Sequence, residues 1–235
     1  MTRTMMVTGA SKGIGASTVE KFFYGDNDVD TIVLVARESK EFDKLQERLS
    51  SDNPHGKKIV PFTVDLADRA KIVGFLHEAM ALAGKIDILV NNAGYTAPCA
   101  IQQIDFGDFE RTMQVNVYAP FTIVQELLQQ GNRFDLIVNI ASTAGMGGRP
   151  GWLTYGASKA AMINMSEAMK AELAIFDTRV VCISPGRCAT DLRRTLAPDE
   201  DPSTIMQPEH VAGVIDMLAS EVGPYIDSQN LVVRQ

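Results

Sequence analysis

The stretch ending at Tyr24 limits the possible fold more than any other. Met5-Met-Val-Thr8 is a short apolar run, and Gly9-Ala-Ser-Lys-Gly13-Ile-Gly15 follows it directly. The residues from Ala16 to Tyr24 then place Val19, Phe22 and Phe23 at helical spacing. A strand, a glycine turn and a helix in immediate succession form a crossover unit suited to a nucleotide. Glycine lets the backbone approach a diphosphate closely, while free N–H groups at the helix start meet its negative charge. The spacing is G-x-x-x-G-x-G, not the G-x-G-x-x-G of the standard dinucleotide fingerprint. Taken alone, such a turn is also an ordinary tight loop.

The alternation continues along the chain. Thr31–Ala36, Lys58–Val64, Lys85–Val90, Leu136–Ala141, Arg179–Ser184 and the stretch near Leu231–Val233 read as further strands. Helical patterns fill 41–50, 67–83, 105–130, the residues after Tyr155, and 208–219. The expected fold class is α/β: a single doubly wound parallel sheet, Rossmann-like, of about seven strands with helices on both faces. No linker or composition break divides it, so residues 1–235 are expected to form one domain. Pro120, lacking an N–H, is expected to bend or interrupt the 105–130 helix.

Composition excludes several classes of partner. A formal charge of −7 argues against nucleic acid, since phosphate binding draws on basic surface. No apolar run approaches the roughly 18 residues that span a bilayer, so no membrane partner is expected. Cys99, Cys182 and Cys188 form neither an even framework nor a metal-type pair, and His77 has no partner at metal spacing. With no charged-then-apolar leader before the first strand, the expected compartment is the cytoplasm, with reduced thiols and no metal.

Chemistry gathers later in the chain. Tyr155 and Lys159 are four apart, so on a helix they share one face. An adjacent cation is expected to lower the phenol's pKa, and a tyrosine so tuned can exchange a proton with a carbonyl or alcohol. Taken alone the pair is equally a solvated surface contact. Ser142 closes the apolar run from Leu136, which sets its hydroxyl at a strand's carboxyl end.

Where an acidic side chain would hold a ribose 2′-hydroxyl, the second strand ends in Ala36-Arg37. Arg37, with Lys12 of the glycine turn, would instead suit a 2′-phosphate, which points to NADP(H) over NAD. Asp65, just past the third strand, either accepts from an adenine amino group or caps the next helix. The loop 146–152 ends in Trp152, the sole tryptophan, as a substrate-pocket wall or a subunit contact. Residues 191–206, with Arg193 and Arg194 adjacent, read as a lid over substrate or as an irregular surface loop.

Four motifs together resemble the short-chain dehydrogenase/reductase family: Thr8-Gly-Ala-Ser-Lys-Gly-Ile-Gly15, Asn91-Asn-Ala-Gly94, Ser142, and Tyr155-Gly-Ala-Ser-Lys159. They stand in that family's order and at its spacings over nearly the whole chain. The resemblance implies a catalytic set of Asn116, Ser142, Tyr155 and Lys159, with Asn116 linking a proton relay to the lysine. It implies cofactor contacts from Gly9, Ser11, Lys12, Gly13, Ile14, Gly15, Arg37, Asp65, Leu66, Asn92, Ala93, Gly94, Tyr155, Lys159, Pro185, Gly186 and Thr190. Ser142, Trp152 and Tyr155 would face the substrate. The expected activity is reduction of a ketone or aldehyde by NADPH. An NAD-dependent alcohol or sugar dehydrogenase and a non-catalytic NADP(H) sensor are the alternatives. A homodimer or homotetramer is implied by resemblance only.

Overall fold

The computed structural model describes residues 2–226 and 230–235. Its strands are β1 (Arg3–Thr8), β2 (Val29–Ala36), β3 (Lys58–Thr63), β4 (Ile88–Asn91), β5 (Leu136–Ile140), β6 (Arg179–Pro185) and β7 (Asn230–Val233). Its helices are α1 (Gly13–Tyr24), α2 (Lys40–Ser51), α3 (Arg69–Ala83), α4 (Phe106–Met113), α5 (Ala119–Gln129), α6 (Leu153–Leu173), α7 (Asp191–Leu196) and α8 (Pro208–Ala219). All seven strands pair in parallel in the order β3-β2-β1-β4-β5-β6-β7. The direction of winding reverses between β1 and β4, and a crevice opens there at the strands' carboxyl ends.

Apolar side chains alternate between the two faces of each strand. Met5, Val7, Ile32 and Leu34 pack with Phe22 and Phe23 of α1, Leu45 of α2 and Ile215 of α8. Met6, Val33 and Val35 pack with Ile72 and Leu76 of α3, and with Ile123 and Leu127 of α5. Both faces are therefore covered, which is why the strands read as unbroken apolar runs and not as alternating ones.

Three local features refine the sequence reading. The fourth strand starts at Ile88; the backbone of Asp87 just before it still bonds to Thr4 and Leu136, while its carboxylate accepts from the Thr4 amide and pairs with Lys85. The 105–130 segment continues through Pro120, but its α-helical pattern is interrupted just before the proline, as expected. Five residues, Gln114–Tyr118, form a π turn, and the Ala119 amide reaches back to the Gln114 carbonyl. Pro120 cannot close an α-helical bond to Asn116, and the wider turn absorbs that loss. The 191–206 segment carries α7 and a short 3-10 turn at Pro202–Thr204. No helix among the described residues is long and apolar enough to cross a membrane.

Candidate active site

A cleft of about 340 Å³ lies over the carboxyl ends of β1, β4, β5 and β6. It is lined by every residue expected at the site except Gly15 and Asn116, which support it from behind.

The glycine turn forms one wall. A Cβ on Gly15 would stand 2.1 Å from the Gly9 carbonyl oxygen and 2.6 Å from Asn92 Nδ2, so only glycine fits there. Asn92 Nδ2 donates to the carbonyls of Thr8 and Gly9, and the Thr8 hydroxyl accepts from the amides of Asn92 and Ala93. These bonds fasten the turn to the end of β4. Lys12, the residue before α1, caps that helix with no side-chain bond, and its first turn holds no acid. Its leading N–H groups therefore have no side-chain competitor for an anion.

Across the cleft, Thr190 caps α7 by accepting from the Arg193 amide. A Cβ on Gly13 would come within 3.1 Å of the Thr190 methyl, so this segment folds down onto the glycine turn. Lys12 is not free for a 2′-phosphate here: its Nζ meets Asp191 Oδ2 at 2.7 Å, with both side chains about half exposed. Arg37 lines the same end of the cleft and forms no ion pair among the described residues. Asp65 does not cap α3, a task that falls to Asp68. Its carboxylate accepts from the Ala67 amide and from Arg111 at 2.9 Å, which together hold its pKa below the usual value despite burial.

The proton-handling groups meet at the centre. Tyr155 and Lys159, on α6, are both almost fully buried, and Ser142 lines the same cleft as the Tyr155 phenol, near enough to influence it. Ser142 also accepts from the Ala144 amide, which fixes its rotamer at the end of β5. Lys159 Nζ donates to the Ile140 carbonyl at 2.8 Å. The expected lowering of the phenol's pKa is not what the structure shows. Burial raises it, and the opposing influences are the Ser142 side chain and the charges of Arg149 and Arg193, not Lys159. Burial likewise draws Lys159 down to about 8.

Asn116 sits within the π turn. Its Oδ1 accepts from the Tyr95 amide at 2.8 Å, while Nδ2 donates to the Tyr95 carbonyl and to the Ser158 hydroxyl. Its side chain thus clamps the chain after Gly94 onto the helix that carries Tyr155. A Cβ on Gly94 would lie 3.8 Å from Asn116 Oδ1 and 3.9 Å from Lys159 Nζ, so the glycine keeps the space between them open.

The lining residues not assigned to the site from sequence include Tyr95, Arg111, Arg149 and Arg193. Arg111 lies over the Tyr95 ring, and the Tyr95 hydroxyl donates to Asp108. Arg149 and Arg193 place their guanidinium carbons 5.0 and 5.5 Å from the centre of the Trp152 ring. That ring meets Tyr155 edge-on at 6.4 Å. The one sequence signal was the place of Arg149 in the 146–152 loop and of Arg193 in the 191–206 segment, both of which the sequence offers as borders of a substrate pocket.

Comparison with known proteins follows this geometry. The family model for short chain dehydrogenase matches residues 3–201. The 3-oxoacyl-[acyl-carrier-protein] reductase of Thermotoga maritima is 30% identical, over 97% of this chain and 94% of its own. The 2,3-dihydro-2,3-dihydroxybenzoate dehydrogenase of Escherichia coli K12 is also 30% identical, over 98% and 95%. A metagenomic blue fluorescent protein, solved in complex with NADPH, superposes with a TM-score of 0.85 at 27% identity, covering 98% of this chain and 96% of that one. With its parallel seven-stranded sheet and a matching family model over most of its length, the chain belongs to the short-chain dehydrogenase/reductase family, a family of oxidoreductases.

Proposed function

We propose that this chain, acting as one domain, is an NADPH-dependent carbonyl reductase that converts a ketone or aldehyde to the alcohol. The observation that carries the reading is the convergence of Ser142, Tyr155 and Lys159 in one cleft, with the Lys159 Nζ 5.8 Å from the centre of the buried Tyr155 ring. The glycine turn fits a dinucleotide, since the backbone at Gly9 and Gly15 is packed too closely for a Cβ and the start of α1 is uncapped. Gly9, Ser11, Gly13 and Ile14 would take the diphosphate, with Asn92, Ala93 and Gly94 along the β4 end. Pro185, Gly186 and Thr190 would flank the nicotinamide. Arg37, just past the end of β2 and with no ion-pair partner among the described residues, would take the 2′-phosphate. A relative of 27% identity binds NADPH, which supports the same choice.

Bound NADPH supplies the hydride. The chain's own part is the proton and the polarisation of the carbonyl. Ser142 donates a hydrogen bond to the substrate oxygen, and Tyr155 donates its proton to that oxygen as negative charge develops there. Because burial lifts the Tyr155 pKa, the phenol is protonated at neutral pH, the form that reduction requires. Oxidation would begin from the phenolate, so the same environment favours the reductive direction. Lys159, charged below about pH 8, stabilises the phenolate left behind. Asn116 holds the Tyr95 backbone and Ser158, which keeps α6 in register with the cleft.

Exposed Phe106, Tyr118 and Phe121, on the α4–α5 segment, support association through that face as a homodimer or homotetramer. The cytoplasm, where NADPH and small carbonyl compounds meet, is the fitting compartment.

The test is NADPH absorbance with a panel of 3-oxoacyl thioesters, diketones, pteridines and aldehydes, for the wild-type chain and Tyr155→Phe. The variant should bind NADPH nearly as well and turn over at least about a hundredfold more slowly. Undiminished turnover in Tyr155→Phe would overturn the assignment.

A further inference from the structure

The cleft is positive in a protein that is negative overall. Six basic side chains line it against three acidic ones, although the chain carries a net charge of −7. Lys12 and Arg37 lie at the glycine-turn end, where dinucleotide phosphates account for them. Arg149 and Arg193 lie at the opposite end, beside Tyr155, where no cofactor phosphate reaches in the proposed arrangement.

Arg193 is largely spoken for. Its Nε and Nη2 meet the two oxygens of Glu200 at 2.6 and 2.8 Å, and Arg187 approaches the same carboxylate at 3.4 Å. Two guanidinium groups thus share one counter-ion. Arg149 has none: among the described residues its polar contact is a 3.3 Å bond to the Thr143 hydroxyl, and its other contact is the Trp152 ring. A guanidinium held over an indole face uses its plane for the ring and keeps its in-plane N–H donors for an anion. Those donors form a fork matched to a carboxylate or a phosphate. The charges also reach the reacting hydroxyl, since both arginines act on Tyr155.

We infer that the carbonyl substrate carries an anionic group, a carboxylate or a phosphate monoester, which Arg149 binds on the Trp152 platform while Ser142 and Tyr155 hold the carbonyl. Arg193, fixed by Glu200, adds positive potential and holds the indole in place. This rests on the reductase reading, for it assigns the far end of the same substrate. A neutral carbonyl compound would make no use of the exposed Arg149 fork, so discrimination comes from that one group.

Trp152 is the only tryptophan of the chain, so its emission reports on this spot. The probes are matched pairs: 4-oxopentanoate against its methyl ester, and dihydroxyacetone phosphate against dihydroxyacetone. They are titrated into the full chain with and without NADP+, and the two pairs separate a carboxylate from a phosphate preference. At least one anionic member should change the emission at concentrations roughly tenfold to a hundredfold below its neutral partner. Arg149→Gln should abolish that difference, Arg149→Lys should restore part of it, and added salt should weaken it. Equal binding within both pairs, failure of either anion to change the emission, or a preference that survives in Arg149→Gln would each overturn the inference.

The two readings fail separately. Tyr155→Phe, which removes a group that holds the carbonyl, should bind both members of a pair more weakly yet keep the preference for the anionic one. Turnover of a neutral carbonyl with no anion preference would remove the present inference and leave the reductase standing. An anion preference without NADPH oxidation on any substrate would do the reverse.

Discussion

Replacing Lys159 by methionine should make the pH dependence of stability visible. Lys159 is 4% exposed, and no carboxylate among the described residues pairs with it. Burial brings its pKa from 10.5 to about 8. Below pH 8 the ammonium is charged in the folded and unfolded chain alike, so at pH 7 the folded protein bears the whole cost of burying it. A fall of about 2.5 pKa units corresponds to roughly 3 kcal/mol. Above pH 8 the folded protein loses the proton while the unfolded chain keeps it up to 10.5, so the cost shrinks to roughly 1.5 kcal/mol by pH 9.5. Methionine keeps the volume and removes the charge, but it also leaves the Ile140 carbonyl without its donor, at a cost of about 1–3 kcal/mol. That loss does not change with pH, and every other titrating group is common to both proteins.

Wild type should therefore gain about 2 kcal/mol on Lys159→Met between pH 7 and 9.5. Urea unfolding followed by circular dichroism at both pH values measures it. A difference that stays constant within about 0.5 kcal/mol would refute the reasoning, because the buried lysine would then carry no charge penalty. The variant should also lose turnover, with stability and activity pulling in opposite directions at this one position.

Other outcomes follow from the cleft. Arg37→Ala should weaken NADPH binding by roughly tenfold or more and leave NADH nearly unchanged, as measured by cofactor fluorescence titration; equal losses would remove the 2′-phosphate role. Gly15→Ala places a methyl against the Gly9 carbonyl and Asn92, so it should lower stability by about 1–3 kcal/mol and weaken dinucleotide binding. A urea midpoint and cofactor affinity both matching wild type would show that the turn can yield.

The elements and the central site were legible because their signals are local. Strand runs, the glycine turn, and the four-residue interval of Tyr155 and Lys159 are each written within a few residues. What escaped depends on partners distant in sequence. Asp65 finds Arg111 46 residues away, and Lys12 finds Asp191 179 residues away. The phenol's pKa was misread for a related reason: a neighbouring charge can be counted in a sequence, but burial is a property of the closed fold, and here it outweighs the charge. Pro120 announced an irregular helix, yet the π turn also involves the clamp of Asn116 on Tyr95 and Ser158. The second shows only once β4 and α6 stand side by side.

The Lys12–Asp191 contact bears on how a dinucleotide gets in and out. With both partners about half exposed, the pair is worth at most about 1 kcal/mol. The flap from Thr190 to Leu196 is thus fastened over its neighbour by a clasp that ambient motion can undo. An arriving phosphate offers Lys12 a more highly charged ligand than the aspartate, so the guest itself trades places with the fastener. Loading would then ask nothing of the seven strands, since the one contact that has to open is this surface ion pair.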